Sequence, residues 1–308
     1  MMNMIKIFAV LLSAAGFVLT GAEPLTVSCT TYPVWLLTRE ITRGADGVKT
    51  ELMIPAGTGC PHDYVLTPAD MRKLGAKNLL VVRNGLGMDD FVLKPLAKMN
   101  PRAKVIEACE GLPVLYAECG CSHDHGHKED HGHHKHSIAN PHLFASPDSA
   151  LGMVGKITLG LCKADPDRAG VYWKNEAVFV RKLRGLLAEM DQLRPKVSGK
   201  NIAVQHGIFD YLANSLELKT AVEIHGEGIA PSAAEMGKMA RLIRKQKVAV
   251  IFTEPQYSAG TARTLARECG IKTVQLEPLA SGPADPPEDH YVKVMRENLK
   301  KIRSVLAQ

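Results

Sequence analysis

The chain has 308 residues, a formal charge of +6 and 45% hydrophobic residues, with only 5% aromatic side chains. That length suits two domains of ordinary size, and so small a charge with so few aromatics gives no footing for nucleic-acid binding. Seven cysteines is an odd number, so at least one thiol lies outside any intrachain pairing.

The first segment sets the compartment. Met1 to Lys6 carry one positive charge, residues 7–19 are largely apolar, and Thr20-Gly21-Ala22 supplies small residues before Glu23. This is the layout of a secretory signal peptide over 1–22, with cleavage after Ala22. The apolar run is too short to span a bilayer core of about 30 Å. No cysteine follows the cleavage point, so no lipid anchor is expected. The chain reads as a soluble monomer of the periplasm.

Beyond the leader, short β-branched runs alternate with helical patterns. Residues 25–30, 48–54, 78–83 and 104–107 read as strands, and 33–43, 68–74 and 88–99 as helices. The pattern then restarts. Strands are expected at 201–205, 220–224, 249–253 and 273–276, and helices at 209–215, 232–245, 260–269 and 287–306. Such alternation implies parallel sheets with helices on both faces. The expected fold is α/β, with two parallel-sheet lobes at 23–165 and 195–308.

Between them runs one long helical segment, 166–194. Asp165 is placed to cap it and Pro166 sits in its first turn. Tyr172, Phe179, Leu183, Leu186, Met190 and Leu193 recur at steps of three, four or seven and draw one apolar stripe. Pro195 is expected to end it. A single continuous helix between the lobes is expected to form a stiff backbone beneath a cleft, the place where any ligand of two such lobes would sit.

Inside the first lobe, the loop 119–137 is unlike the rest. His123, His125, His127, His131, His133, His134 and His136 are interleaved with Asp124, Glu129 and Asp130. A packed core has no use for this run, because each buried imidazole needs a hydrogen-bond partner. Imidazole is the commonest protein ligand for borderline metals such as zinc. The internal position argues against an expression tag. The tract therefore reads as a secondary, weaker metal-binding segment, used to capture zinc, to sense its excess or to hold a second ion. Cys119 and Cys121 beside it are soft ligands or disulfide partners for other cysteines.

Elsewhere, four residues fall at or beside strand ends. His62 sits in Gly59-Cys-Pro-His-Asp-Tyr, and His142 in Asn140-Pro-His, before a helix beginning near Pro147. His206 follows the strand 201–205, and Glu277 follows 273–276. Ligands of open α/β sheets bind outside the carboxyl ends of strands.

These segments carry a resemblance. Thr31-Tyr-Pro, Pro61-His-Asp-Tyr-Val-Leu-Thr-Pro, Val82-Arg-Asn-Gly-Leu-Gly, Asn140-Pro-His, Gln205-His-Gly-Ile-Phe-Asp-Tyr, Glu227-Gly-Ile-Ala-Pro-Ser, Thr253-Glu-Pro-Gln-Tyr and Glu277-Pro-Leu occur in this order. Together they resemble the substrate-binding proteins of bacterial zinc ABC transporters, within a wider group of zinc, manganese and iron binders. The resemblance implies His62 and His142 as metal ligands from the first lobe and His206 from the second. The fourth position falls to Glu277, to water or to Cys60. Manganese-binding relatives tend to carry a carboxylate where this chain has His206, and three imidazoles suit zinc better than manganese. Two departures stand out: Glu277-Pro-Leu-Ala replaces the usual aspartate before Pro-Leu-Gly, and Pro61 stands where some zinc binders place a glutamate. Glu227 and Glu254 are expected to support the site rather than coordinate.

The implied function is high-affinity capture of zinc and its delivery to an ABC-type permease in the inner membrane. A manganese or iron carrier of the same family, or a zinc buffer or chaperone without a transporter, is the alternative. An enzyme is not expected. Three histidines and a water also describe a catalytic zinc, but no His-Glu-x-x-His helix or nucleophile elbow is present, and Glu254 is the only obvious base.

Overall fold

The computed structural model describes residues 24–58, 61, 64–118, 137–224 and 231–307. The first lobe carries β1 (Leu25–Cys29), α1 (Tyr32–Thr42), β2 (Val48–Leu52), α2 (Pro68–Leu74), β3 (Leu79–Arg83), α3 (Leu93–Met99) and β4 (Lys104–Glu107). All pairings in its sheet are parallel, in the order β2-β1-β3-β4. Every residue of β3 is buried, which is why Leu79-Leu-Val-Val reads as a continuous apolar run rather than an alternation. Local chemistry sets the helix starts. Thr67 and Asp70 form a reciprocal capping box at α2, ahead of Pro68 in the first turn.

A two-stranded antiparallel ribbon follows, β5 (Tyr116–Glu118) and β6 (Ser137–Ala139), with Tyr116 opposite Ala139 and Glu118 opposite Ser137. The alternation of strands and helices did not foretell it, because three-residue strands carry too little periodicity. The ribbon brackets the histidine tract, which itself lies outside the described residues, as do the expected signal peptide and its cleavage site.

Then come α4 (Pro147–Ala164) and α5 (Ala169–Val197), and the second lobe: β7 (Asn201–Val204), α6 (Asp210–Ser215), β8 (Lys219–Glu223), α7 (Ala233–Lys245), β9 (Val250–Thr253), α8 (Gly260–Cys269), β10 (Lys272–Gln275) and α9 (His290–Leu306). Its sheet is again parallel, ordered β10-β9-β7-β8. Among the described residues no helix is long and apolar enough to cross a membrane.

The long helix differs from expectation at both ends. Residues Pro166–Arg168 form a 3-10 turn, and α5 continues through Pro195 to Val197. Proline inside a helix removes one hydrogen bond, but here only the last turn is affected. Val197 is fully buried, and the Ser198 N–H donates to the Arg194 carbonyl at 2.8 Å. With 29 residues, α5 is about 43 Å long. The predicted stripe is buried along its whole length, with Val197 added. Two other helices begin later than expected: a 3-10 turn Asp90–Val92 precedes α3, and α9 starts at His290.

One hydrophobic core runs through both lobes. It joins Val27, Leu37 and Val82 to Leu186, Met190, Val204 and Phe252 by way of α4, α5 and α9. Polar ties cross between the lobes as well. The Tyr291 hydroxyl donates to the Phe144 carbonyl at 2.8 Å, Arg39 donates to the Pro286 carbonyl at 3.1 Å, and the Gly282 N–H donates to the Ala56 carbonyl at 3.0 Å. A shared core and one continuous helix offer few hinge torsions. Small-angle scattering profiles of metal-free and zinc-loaded protein are therefore expected nearly to coincide. A large compaction on adding zinc would show that α5 bends.

Candidate metal centre

Each sheet has one point where the chain order reverses, and open α/β sheets form their binding crevice there. In the second lobe it lies between β7 and β9. His206 leaves β7 in extended backbone and heads the 3-10 turn Gly207–Phe209. Glu254 leaves β9 fully buried, with Oε1 at 4.0 Å from His206 Nδ1. Gln205 ties the two exits together. Its Oε1 accepts the Glu254 N–H at 2.9 Å, while its Nε2 donates to the Ser258 carbonyl at 3.0 Å. Gln256 donates to Glu254 Oε2 at 2.6 Å.

In the first lobe the reversal falls between β1 and β3. The buried Asp89 gathers the loop after β3, accepting the N–H groups of Asn84 and Gly85 at 2.6 and 3.0 Å and the Thr30 hydroxyl at 2.5 Å. Gly85 has φ +90°, and a Cβ there would strike the Glu107 side chain, so glycine is required. Asn84 Nδ2 then donates to the Pro141 carbonyl at 3.0 Å, which fixes the segment entering His142.

His142 is only 3% exposed. Asn140 Oδ1 accepts the His142 backbone N–H at 3.0 Å and lies 2.8 Å from its Nδ1. On its other side Asn140 Nδ2 donates to the Gly207 carbonyl at 2.7 Å and to Asp210 Oδ2 at 3.1 Å. A backbone donor on one side and a backbone acceptor on the other fix which way this amide points. The atom facing Nδ1 is thus an acceptor, so Nδ1 holds the proton and Nε2 keeps its lone pair. The rings of His142 and His206, one from each lobe, lie 4.8 Å apart between centroids at 82°.

Tyr211 closes the junction. Its hydroxyl donates to the Asn140 carbonyl at 2.7 Å and accepts the Leu115 N–H at 3.0 Å. Leu115 precedes β5 and Asn140 follows β6, so one hydroxyl pins the base of the ribbon to the second lobe. In the sequence Asn140, Gly207, Asp210 and Tyr211 stand out only as parts of motifs. Their joint role depends on contacts spanning 67 to 96 residues.

The structure brings His142 and His206 together and sets Glu277 just past β10. The Glu277 N–H donates to Asn298 Oδ1 at 3.0 Å and its Oε1 accepts the Leu279 N–H at 2.9 Å. Burial pushes the Glu277 carboxyl above the usual range, against the Leu279 N–H and the Lys301 charge. Among the described residues no three His, Cys, Asp or Glu side chains form a metal-holding group. His62, Cys60, Glu227, Cys119, Cys121 and the seven tract histidines lie outside those residues. Cys29, Cys109, Cys162 and Cys269 are free thiols. Burial pushes Cys29 up to about 12 and raises Cys109 too, so neither is poised to serve as a thiolate donor.

Asp210 offers a pH test. Its carboxyl is pushed up to about 6, first by burial and then by the Glu223 charge, against hydrogen bonds from Thr220 and Asn140. Between about pH 4, where an unfolded aspartate ionises, and its folded value, the native state binds the extra proton. Its stabilising contribution is therefore complete at low pH and lost as pH rises through about 6. Relative to wild type, Asp210→Asn should gain on the order of 1–2 kcal/mol between pH 4 and pH 7, read by urea unfolding at both values. A pH-independent difference would show that water solvates this carboxyl.

Two α/β lobes with parallel sheets and one long connecting helix define a two-lobed α/β protein with an imidazole from each lobe meeting across the cleft. A family model described as the zinc-uptake complex component A, periplasmic, matches residues 27–305, and the chain belongs to that family. It is 32% identical over 300 residues to the high-affinity zinc uptake system protein ZnuA of Bacillus subtilis, covering 96% of this chain and 91% of that one. To the zinc-binding lipoprotein AdcA of Streptococcus pneumoniae it is 30% identical over 288 residues, covering 92% of this chain but only 56% of the relative. The structure of Zn(II)-bound AdcA aligns with a TM-score of 0.73 over 92% of this chain and 58% of that one, at 30% identity. The Mn2+ complex of FpvC from Pseudomonas aeruginosa aligns at 0.76 over 92% of this chain and 98% of that one, at 27% identity.

Proposed function

We propose that this chain captures zinc(II) in the periplasm and delivers it to an ABC-type permease in the inner membrane. His142 and His206 hold the ion from opposite sides of the cleft, His62 adds a third imidazole, and Glu277, water or Cys60 completes the set. The observation that carries this reading is the His142–His206 pair, one imidazole from each lobe, with rings 4.8 Å apart and the first of them pinned at Nδ1 by Asn140. Nitrogen donors favour zinc over manganese, which prefers oxygen. The family match over 27–305 supports transport rather than catalysis, and the leader-like segment 1–22 supports export. The protein acts as a monomer, with the histidine tract as a weaker, second zinc-binding segment.

The test is metal analysis of chelator-stripped protein reloaded from an equimolar mixture of zinc and manganese. Zinc is expected to fill the tight site. Retention of manganese in preference would overturn the assignment of the cargo.

A further inference from the structure

We infer that Asn140 is the positioning residue that joins the two halves of the metal site into one unit. Its amide oxygen holds His142 through the backbone N–H and ring Nδ1, and its amide nitrogen holds the His206 loop through Gly207 and Asp210. The inference rests on the reading of His142 and His206 as metal ligands.

An asparagine side chain can donate two hydrogen bonds, and all four contacts of this one are to groups that fix its orientation. The oxygen meets the His142 N–H and Nδ1–H, and the nitrogen meets the Gly207 carbonyl and the Asp210 carboxyl. Asn140 is 6% exposed, so bonds lost on substitution deprive the buried His142 and the half-buried Gly207 and Asp210 of a partner that water replaces poorly. Aspartate has no amide donors, and glutamine is one methylene longer. The surroundings are shaped to this side chain. A Cβ at Gly207 would stand 2.8 Å from Asp210 Oδ2 and 3.4 Å from Asn140 Nδ2, so the loop approaches through bare backbone. Tyr211 holds the Asn140 carbonyl as well.

The consequence is a coupling. His142 cannot turn its ring or exchange tautomers without losing the ring's hydrogen bond to the oxygen of Asn140, and displacing the His206 loop removes the two acceptors of the Asn140 nitrogen. Presentation of the first-lobe imidazole and seating of the second-lobe loop are therefore one event. A hydrogen-bond partner on the far nitrogen of a ligating histidine commonly sets the affinity of the site in this way.

The experiment uses the full chain and zinc itself. Zinc affinities of wild type, Asn140→Ala, Asn140→Asp, His142→Ala and His206→Ala are measured by competition with a chromophoric chelator. The His142 tautomer is read from nitrogen-15 NMR of histidine-labelled protein, with His142→Ala identifying the resonance. Asn140→Ala is expected to lose between about tenfold and a hundredfold in zinc affinity and to lose the Nδ1–H signature. Asn140→Asp should keep that signature, because a carboxylate still accepts from Nδ1–H. It should nonetheless bind zinc more weakly than wild type, because its second oxygen faces the Gly207 carbonyl and Asp210. Wild-type affinity in Asn140→Ala, alongside weakened binding in both histidine variants, would overturn the inference and leave the metal site standing. Unchanged affinity in the two histidine variants would sink the site assignment itself. Should Asn140→Ala fail to fold, the metal-free wild type still decides: an Nε2–H tautomer at His142 would refute the proposed lock.

Discussion

Replacing His206 with alanine is expected to weaken zinc binding by about a hundredfold to a thousandfold. Tight protein zinc sites have apparent binding energies of roughly 10–16 kcal/mol, so one ligand of three or four is worth about 3–4 kcal/mol, and about 1.4 kcal/mol is tenfold. His206 is a cleaner probe than His142. Its side chain is 23% exposed and sits at the head of a turn, so truncation leaves little void and a modest stability change. Truncating the buried His142 would also remove the ring's contact with the oxygen of Asn140 and leave a buried void, mixing folding with binding. Glu277→Ala should cost far less, because water can occupy the position it would vacate. Chelator competition on the two variants gives the comparison directly. Wild-type affinity in His206→Ala, or a larger loss in Glu277→Ala, would remove His206 from the ligand set.

How much of this was legible in the sequence depends on the range of the interactions involved. The strands 104–107 and the helices 68–74 and 260–269 were read to the residue, because burial period and caps are local properties. Pro195 misled because its helix-breaking tendency is local, while the burial of Val197 that carries the helix past it is tertiary. The ribbon β5–β6 escaped for the opposite reason, since its pairing is set by what flanks an insertion rather than by its own three-residue strands. At the site, His142 and His206 stood out by their place at or beside strand ends and by the family resemblance of their segments, and the structure brings their two rings together. The role of Asn140 was not legible. Its chemistry lies in matching the backbone N–H and ring nitrogen of His142 on one lobe with two acceptors on the other, and no spacing within the chain encodes that meeting. Glu254 illustrates the middle ground: its segment was recognisable, but its place against His206 follows only from β7 and β9 being neighbours.

Deleting residues 122–136 is expected to reduce zinc uptake from several ions per protein to one, and to leave the tight event in place. The ribbon makes this a mild operation on the fold. Glu118 pairs with Ser137, so the deletion leaves Cys119-Gly120-Cys121 as a three-residue connection, a common hairpin length that favours glycine. The Tyr211 bonds to Leu115 and Asn140 lie below the excision and hold the ribbon base in register. The tract removed has seven imidazoles and three carboxylates but almost no apolar side chain. A segment of that composition has little apolar surface to bury, so metal binding there is expected to carry an ordering cost and to be weaker than at a site held by packed elements. His142 and His206, by contrast, sit on packed elements, His142 held by Asn140 and His206 at the head of the turn Gly207–Phe209. Titration calorimetry of the deletion variant should show one strong binding step and none of the weaker heat, with transport impaired chiefly when zinc is scarce. Disappearance of the strong step would mean that tract histidines are primary ligands. The site at the cleft would then have to be rebuilt around them.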